Sequence, residues 1–150
     1  MMTARMRSLA YTLSLSLVLA IAAGCDKTEV GRQCVLPIGD AGAGETVVGS
    51  PALECESRTC LHVAGTSPDQ CTAECESDDD CHGSSLTPCT NGFTCAVPVI
   101  VGPFCCKKFC ICKDFNPSTQ VPASCDPTDS RNECCNLEGR AGNSQYPQCR

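Results

Sequence analysis

Cysteine is the residue type in this chain whose number and spacing could do the most chemistry. Of the 150 residues, 17 are cysteine and only two are histidine. A cysteine thiol can form a disulfide, bind a metal ion, act as a nucleophile or carry a lipid, and the outcome depends on redox conditions and spacing. Because 17 is an odd number, at least one cysteine cannot pair within a single molecule.

The first cysteine, Cys25, follows a segment with the features of an export signal. Arg5 and Arg7 give a positive start, residues 9–23 are largely apolar, and small residues precede Cys25. This apolar stretch of 15 residues is shorter than the roughly 20 that a membrane-spanning helix needs. We therefore predict a signal peptide over residues 1–24 that is cleaved on export, with a retained membrane helix as the alternative.

The stretch Ile21-Ala22-Ala23-Gly24-Cys25 resembles the lipobox of bacterial lipoproteins. In that family the cysteine is linked to diacylglycerol, becomes the mature N-terminus and is acylated; Leu is preferred where this chain has Ala22. The resemblance implies lipidation at Cys25 and attachment to a membrane of the bacterial cell envelope, at the outer membrane, its periplasmic face or the cell surface. Two or more acyl chains hold a protein durably. Ordinary cleavage, with Cys25 paired or free, is the alternative.

The remaining sixteen cysteines are expected to pair with one another. An exported chain meets an oxidising compartment, and sixteen thiols suffice for eight bridges with none left over. They admit about two million pairings, so the sequence predicts disulfides as a set and no connectivity. The predicted disulfide cysteines are Cys34, Cys55, Cys60, Cys71, Cys75, Cys81, Cys89, Cys95, Cys105, Cys106, Cys110, Cys112, Cys125, Cys134, Cys135 and Cys149.

Cross-links must supply much of the stability of the mature chain. Over residues 55–150, 14 of 96 positions are Leu, Ile, Val, Phe or Met, and 15 are cysteine. So few apolar residues would struggle to offset a chain entropy of about 1 to 2 kcal/mol per residue. The fold class predicted is a small, disulfide-rich, irregular domain over residues 55–150, formed as one unit or as two that meet near residues 116–118.

Residues 25–54 are predicted to form a lipid-anchored tether that holds the folded part off the membrane. They contain few cysteines and include the run IGDAGAGETVVGSPA, whose small residues are typical of flexible chain. Cys34 is predicted to fasten the start of the tether to the domain.

Short elements are predicted within the cysteine-rich part. The apolar stretch around residues 93–112 predicts a strand pair, with Phe109 and Ile111 on one strand face and Cys110 and Cys112 on the other. Cap and proline signals predict one or two short helices, over residues 68–76 and 127–138. Phe93, Phe104 and Phe109 could form an exposed binding patch, but with so few aromatic residues we predict that they are core.

Two metal-binding alternatives follow from the residue types. An EF-hand loop starting at Asp78 would have a histidine at its fifth place and a cysteine where the bidentate glutamate belongs, so we predict a solvated acidic turn. For zinc, the spacing of the candidate ligands does not reproduce paired Cys-x2-Cys knuckles. We predict disulfides there, and no metal or cofactor. The zinc candidates are Cys105, Cys106, Cys110, Cys112, His62 and His82.

The charge balance argues against nucleic acid as a partner. Cleavage after residue 24 removes Arg5 and Arg7 but no acid, which leaves nine basic and 17 acidic side chains, a net charge of −8. Such a chain repels nucleic-acid phosphates. The basic cluster Lys107, Lys108 and Lys113 is interpreted as a solvated strand face.

Two functional alternatives remain beside a binding protein. The run CTAECESDDDC followed by CCKKFC is similar in spacing to the whey acidic protein type four-disulfide core, whose members include protease inhibitors. The 23 residues between Cys81 and Cys105 are far more than that family has, and no inhibitory residue can be carried over. A metal-binding or redox protein is the second alternative, although no Cys-x-x-Cys motif supports it.

The sequence therefore predicts a non-enzymatic lipoprotein of the cell envelope. The two histidines lie in no recognisable nucleophile or metalloprotease motif, so no catalytic residue is assigned. Surface structure, or binding of an extracytoplasmic protein or glycan, is the predicted function.

Overall fold

The structure is a computed structural model that describes residues 29–36, 44–66, 68–126, 132, 134–137, 139–144, 146 and 149. The predicted signal peptide and Cys25 lie outside these residues. The described part of the chain contains no helix with the length and apolar character needed to cross a membrane.

Eight disulfides join all sixteen cysteines that were predicted to pair, and they divide the fold into three units. Two bridges lie within the N-terminal unit (residues 29–72) and three within the hairpin unit (residues 73–115). Two more connect the hairpin unit to the C-terminal unit (residues 116–149), and one closes within the latter. This density indicates an oxidising, extracytoplasmic environment. The bridges are Cys34–Cys60, Cys55–Cys71, Cys75–Cys95, Cys81–Cys110, Cys89–Cys112, Cys105–Cys134, Cys106–Cys125 and Cys135–Cys149.

The N-terminal unit is built on a three-stranded antiparallel sheet. Its strands are β1 (Val47–Gly49), β2 (Cys60–His62) and β3 (Gln70–Cys71), with β2 in the middle. In the register, Leu61 of β2 lies opposite Val48 on one side and Gln70 on the other. β2 is therefore supported on both edges, and Leu61 is buried.

Residues 29–36 and 44–54 pack within this unit, which differs from the flexible tether predicted over residues 25–54. Cys34 is bonded to Cys60, and Leu36 and Ala52 are buried in the same cluster. β1 supplies an edge strand to the sheet. The physical reason is that two valines and a disulfide give residues 29–36 and 44–54 non-local contacts that a composition of small residues does not reveal.

The predicted helix over residues 68–76 is also wrong, because Gln70–Cys71 is strand β3. The N–H of Cys71 donates to the carbonyl oxygen of Arg32 at 2.7 Å, and Gln70 forms a bridge with Gln33. Cys71 is also bonded to Cys55. These long-range bonds outweigh the local helix-capping signal, which is worth only about 1 kcal/mol.

The hairpin unit confirms the strand pair predicted around residues 93–112. β4 (Phe93–Ala96) and β5 (Phe109–Cys112) are antiparallel, and all four residues of β5 are buried. Cys110 and Cys112 lie in one buried cluster and Ile111 in another, as the predicted alternation of faces requires. Three short 3₁₀ segments complete the described elements: Asp78–Asp80, Lys113–Phe115 and Ala123–Cys125.

The N-terminal and hairpin units share a core. Leu61 of β2 packs with Ala96 of β4 and Ile111 of β5, and all three are buried. A main-chain bond crosses the same boundary, since the N–H of Ser84 donates to the carbonyl oxygen of Val30 at 2.8 Å. The two units are thus one packed body, although no disulfide joins them.

The C-terminal unit is attached to the hairpin unit through two adjacent cysteines of the latter. Cys105 and Cys106 bond to Cys134 and Cys125 respectively. Much of the predicted helix over residues 127–138 lies outside the described residues; within it, residues 134–137 form a turn.

Candidate functional site

The connection between β4 and β5 exposes aliphatic side chains next to each other in the chain. We call residues 97–104, with the sequence VPVIVGPF, the apolar loop. Ile100 is 45% exposed and Val101 is 66% exposed, whereas Val97 and Val99 are half-buried. An exposed pair of β-branched side chains on a loop is a candidate contact for another protein.

The base of the apolar loop is held from both sides. The N–H of Cys106 donates to the carbonyl oxygen of Val99 at 3.0 Å, and the N–H of Cys105 donates to that of Gly102 at 3.3 Å. Arg140 of the C-terminal unit donates from Nη2 to the same Gly102 oxygen at 3.2 Å. Because Cys105 and Cys106 are both in disulfides, the loop is presented on a cross-linked base.

The phenylalanines do not form an exposed patch, and Phe104 and Phe109 pack together at this base. Phe93 and Phe109 are buried, at 6% and 0% exposure. The ring of half-buried Phe104 meets that of Phe109 edge-on, with centroids 6.0 Å apart and planes at 74°. The prediction that these residues are core holds for Phe93 and Phe109, and Phe104 closes the core beneath the apolar loop.

The side chains of Arg140 and Lys107, next to the base of the loop, both contact the ring of Tyr146. The guanidinium carbon of Arg140 lies 4.7 Å from the ring centroid of Tyr146, and Nζ of Lys107 lies 5.6 Å from it. Both distances suit cation–π attraction. Nζ of Lys107 also lies 2.7 Å from Oε1 of Glu74 within the hairpin unit, so its link to the C-terminal unit is the contact with Tyr146.

The basic cluster predicted as a solvated face makes contacts within the fold. Nζ of Lys108 donates to the carbonyl oxygen of Glu76 at 3.5 Å, and Nζ of Lys113 lies 4.0 Å from Oδ2 of Asp78. With Lys107 on Glu74, each of the three lysines faces the acidic stretch 74–78. They do not converge on a common point where a phosphate could bind.

The acidic turn is built from carboxylates that cap main-chain groups. Oδ2 of Asp80 accepts hydrogen bonds from the N–H groups of Glu76 and Ser77, both at 2.9 Å, and those bonds hold the pKa of Asp80 below its usual range. The N–H of Cys95 and the hydroxyl of Thr94 bond to Oδ1 of Asp78 and lower the pKa of that carboxyl. These carboxylates stabilise the turn, as expected for a solvated acidic turn.

A cleft of about 300 Å³ lies between the N-terminal unit and the acidic turn. It is lined by Glu29, Val30, Glu56, Ser57, Thr72, Ala73, Asp80 and His82. Oε1 of Glu29 is 3.3 Å from Nη1 of Arg32, and the N–H of Glu56 donates to the other oxygen of Glu29. Because Glu29 and Asp80 are already engaged by groups of the chain, we assign the cleft no chemistry.

The two histidines lie on different units and do not face a common group. Nδ1 of His62 on β2 is 2.8 Å from Oδ1 of Asp69, whereas His82 lines the cleft. The cysteines proposed as zinc candidates are all in disulfides and offer no thiolate in this state. The geometry brings no nucleophile and base together among the described residues.

Comparisons with protein-family models, with curated proteins and with solved structures found no match to this chain. The functional interpretation therefore depends on the surface of the molecule.

Sequence reasoning missed the apolar loop, because the apolar stretch around residues 93–112 predicts only a strand pair. The strands at its two ends are buried, and residues 100–103 between them are exposed. Pro98 and the pair Gly102-Pro103 bracket the aliphatic run, and these chain breakers were the signal that the run between them leaves the sheet.

Proposed function

We propose that the protein is a non-enzymatic lipoprotein of the bacterial cell envelope, anchored through Cys25, whose disulfide-bonded domain binds an extracytoplasmic protein through the apolar loop. The observation that carries this proposal is the exposure of Ile100 and Val101 on a cross-linked base. A loop fixed in advance loses little conformational entropy when it binds, which raises affinity.

The chemistry of the loop favours a protein over a glycan. The side chains of Ile100 and Val101 offer neither hydrogen-bonding groups nor a ring face for a sugar. Aliphatic side chains at the tip suit an apolar pocket on a protein surface, surrounded by a polar rim. The net charge of −8 for the chain after residue 24 supports a partner other than nucleic acid.

The anchor and the loop are tested separately. For the anchor, cells are labelled with radioactive palmitate: the wild-type protein should be labelled and Cys25→Ala should not. Equal labelling of the two would contradict lipidation at Cys25.

For the loop, a photoreactive amino acid is placed at Val101 or, as a control, at Val121, which is 54% exposed in the C-terminal unit. Irradiation of intact cells should give a discrete protein adduct from position 101 alone. The captured partner should then bind Ile100→Ser/Val101→Ser about tenfold or more weakly than the wild type, and Val121→Ser equally well. Identical adducts from both positions, or unchanged affinity of the double variant, would contradict the loop assignment.

One observation also favours the protease-inhibitor alternative. Arg140 holds the carbonyl oxygen of Gly102 in the apolar loop, and Cys105 and Cys106, which follow the loop, are in disulfides. Such a loop resists the local unfolding that proteolytic cleavage requires. An inhibitor should form a stable complex with a serine protease that accepts aliphatic residues, and Ile100→Ser/Val101→Ser should abolish that complex. Rapid cleavage of the native loop would exclude this alternative.

A further inference from the structure

Only a short stretch of chain separates the first segment of the fold from the proposed anchor at Cys25. We call residues 29–36 the leading segment. Its backbone is bonded from Val30 onward: the carbonyl oxygen of Val30 accepts from Ser84 at 2.8 Å, and the N–H of Gly31 donates to Cys71 at 2.8 Å. The four steps from Cys25 to Glu29 reach about 14 Å at most when fully extended.

This length is small beside the domain itself. A domain of about 120 residues has a radius of gyration of about 14 Å, and hence a diameter of about 35 Å. A lipid on Cys25 would therefore hold the leading segment near the bilayer and keep the far side of the domain away from it. Only side chains close to the leading segment could touch the membrane.

Three exposed aliphatic side chains lie within or beside the leading segment, and we call them the apolar rim: Val35, Leu53 and Leu86, which are 75%, 73% and 74% exposed. At one end of the segment, the N–H of Val35 donates to Oε1 of Glu54 at 2.8 Å. Leu53 directly precedes Glu54 in the chain and therefore lies close to Val35. At the other end, Ser84 bonds to Val30, two residues before Leu86.

Both leucines are held at the tips of tight turns. The N–H of Cys55 donates to the carbonyl oxygen of Ala52 at 3.1 Å across Leu53, and residues 84 and 87 are joined in the same way across Leu86. Such positions are normally occupied by Gly, Pro, Asn, Asp or Ser, because their backbone preferences or their side-chain hydrogen bonds to the main chain favour a turn. A leucine there projects apolar surface outward, and its fixed position suits contact with an apolar phase.

We infer that the apolar rim lies against the lipid bilayer that holds Cys25, with its three side chains at the boundary between headgroups and acyl chains. This inference rests on the proposed lipid anchor. The bilayer is favoured as occupant because the short chain before Glu29 brings the rim to it. The contact is apolar and not electrostatic, since acidic residues lie at the same edge: Glu54 bonds to Val35, and Glu29 bonds to Glu56.

The test uses the full-length lipidated protein in phosphatidylcholine vesicles, whose neutral surface isolates the apolar contribution. The photocrosslinking residue p-benzoylphenylalanine replaces Leu53 or Leu86 and, as controls, Val121 or Leu137, which are 54% and 50% exposed in the C-terminal unit. Mass spectrometry after irradiation counts protein–lipid adducts. An intact mass without free thiols confirms that each variant is folded. Positions 53 and 86 should give roughly fivefold more lipid adduct than positions 121 and 137.

The outcomes separate this inference from the anchor. Equal adduct yields at all four positions, in protein whose mass includes the lipid on Cys25, would overturn the rim contact and leave the anchor standing. Protein that carries no lipid on Cys25 and does not float with the vesicles would overturn the anchor, and the membrane contact with it.

Discussion

The hydroxyl of Thr72 donates a hydrogen bond of 2.7 Å to the carbonyl oxygen of Cys110, and both residues are almost completely buried. Thr72 ends the N-terminal unit and Cys110 lies in β5, so the bond crosses the boundary between two units that share no disulfide. Directly beside it, within the hairpin unit, the N–H of Cys110 donates to the carbonyl oxygen of Ala73, and the N–H of Cys75 donates to the carbonyl oxygen of Lys108 at 3.2 Å. We call this set of bonds the seam.

Replacing Thr72 with valine should loosen the seam while nearly preserving side-chain volume. The carbonyl oxygen of Cys110 loses a partner in a buried position, and an unsatisfied polar group of this kind costs about 1 to 3 kcal/mol. Denaturant unfolding without reductant measures the loss, and faster hydrogen exchange at the Cys110 and Cys75 amides localises it to the seam. Thr72→Ser, which keeps the hydroxyl, should retain the exchange protection of Cys110. A valine variant with wild-type stability and exchange would show that the seam does not depend on this bond.

A single carboxylate closes the open end of the hairpin and predicts the response to acid. Asp114 follows β5, and its two oxygens accept from the N–H and hydroxyl of Thr90, at 2.7 and 2.9 Å, and from the N–H and amide of Asn91, at 3.1 and 2.6 Å. The main-chain N–H of Thr90 is the largest cause that holds the pKa of Asp114 below its usual range. The folded state thus favours the ionised carboxylate.

Because the folded pKa of Asp114 is lowered, its stabilisation is complete above the unfolded pKa of about 4 and disappears as pH falls through the folded value. Asp114→Asn should lower the melting temperature at pH 7 and flatten its fall below about pH 4. Calorimetry from pH 7 to pH 2 measures both effects. Asp79→Asn, at an exposed position in the acidic turn, is the matched control and should leave the curve close to wild type. If the two variants show the same dependence of melting temperature on pH, the response to acid does not come from the hydrogen bonds of Asp114.

How much of the fold the sequence predicts depends on how local the determining contacts are. The cysteine count and the alternating pattern of β5 are local information, and both predicted correctly that the fold is disulfide-rich with a strand pair near residues 93–112. Strand β3 is determined instead by partners elsewhere: Arg32, Gln33 and the disulfide to Cys55. With about two million possible pairings, those partners could not be identified from the sequence.

The candidate site was hidden for a related reason. Composition alone does not distinguish an aliphatic run that enters the core from one that projects from it, and residues 97–104 are as apolar as the strands beside them. Exposure of Ile100 and Val101 follows from the anchoring of Cys105 and Cys106 to the C-terminal unit, which is another non-local pairing. The apolar rim depends on turns at Leu53 and Leu86 that carry none of the usual turn residues at those positions.

One aromatic ring packs over two glycines that lie on neighbouring segments. Phe93 opens β4 and is only 6% exposed, and its ring covers Gly83, which pairs with Val30 of the leading segment. A Cβ atom at Gly83 would lie 2.5 Å from Cε2 of Phe93 and 3.0 Å from Cδ2. The same ring lies against Gly31, so neither glycine can gain a side chain unless Phe93 moves.

Gly83→Ala should therefore destabilise the fold by about 1 to 3 kcal/mol, the usual cost of overpacking a core. The reason is steric contact with Phe93, so the penalty should shrink in a Phe93→Leu background, and a double-mutant cycle of denaturant unfolding measures the coupling. Gly44→Ala is the matched control, because a Cβ atom there meets nothing within 4 Å. It should leave the unfolding midpoint unchanged. Strictly additive penalties for Gly83→Ala and Phe93→Leu would instead mean that the alanine acts on the backbone of the bridge to Val30, and the account of the ring as the obstacle would be wrong.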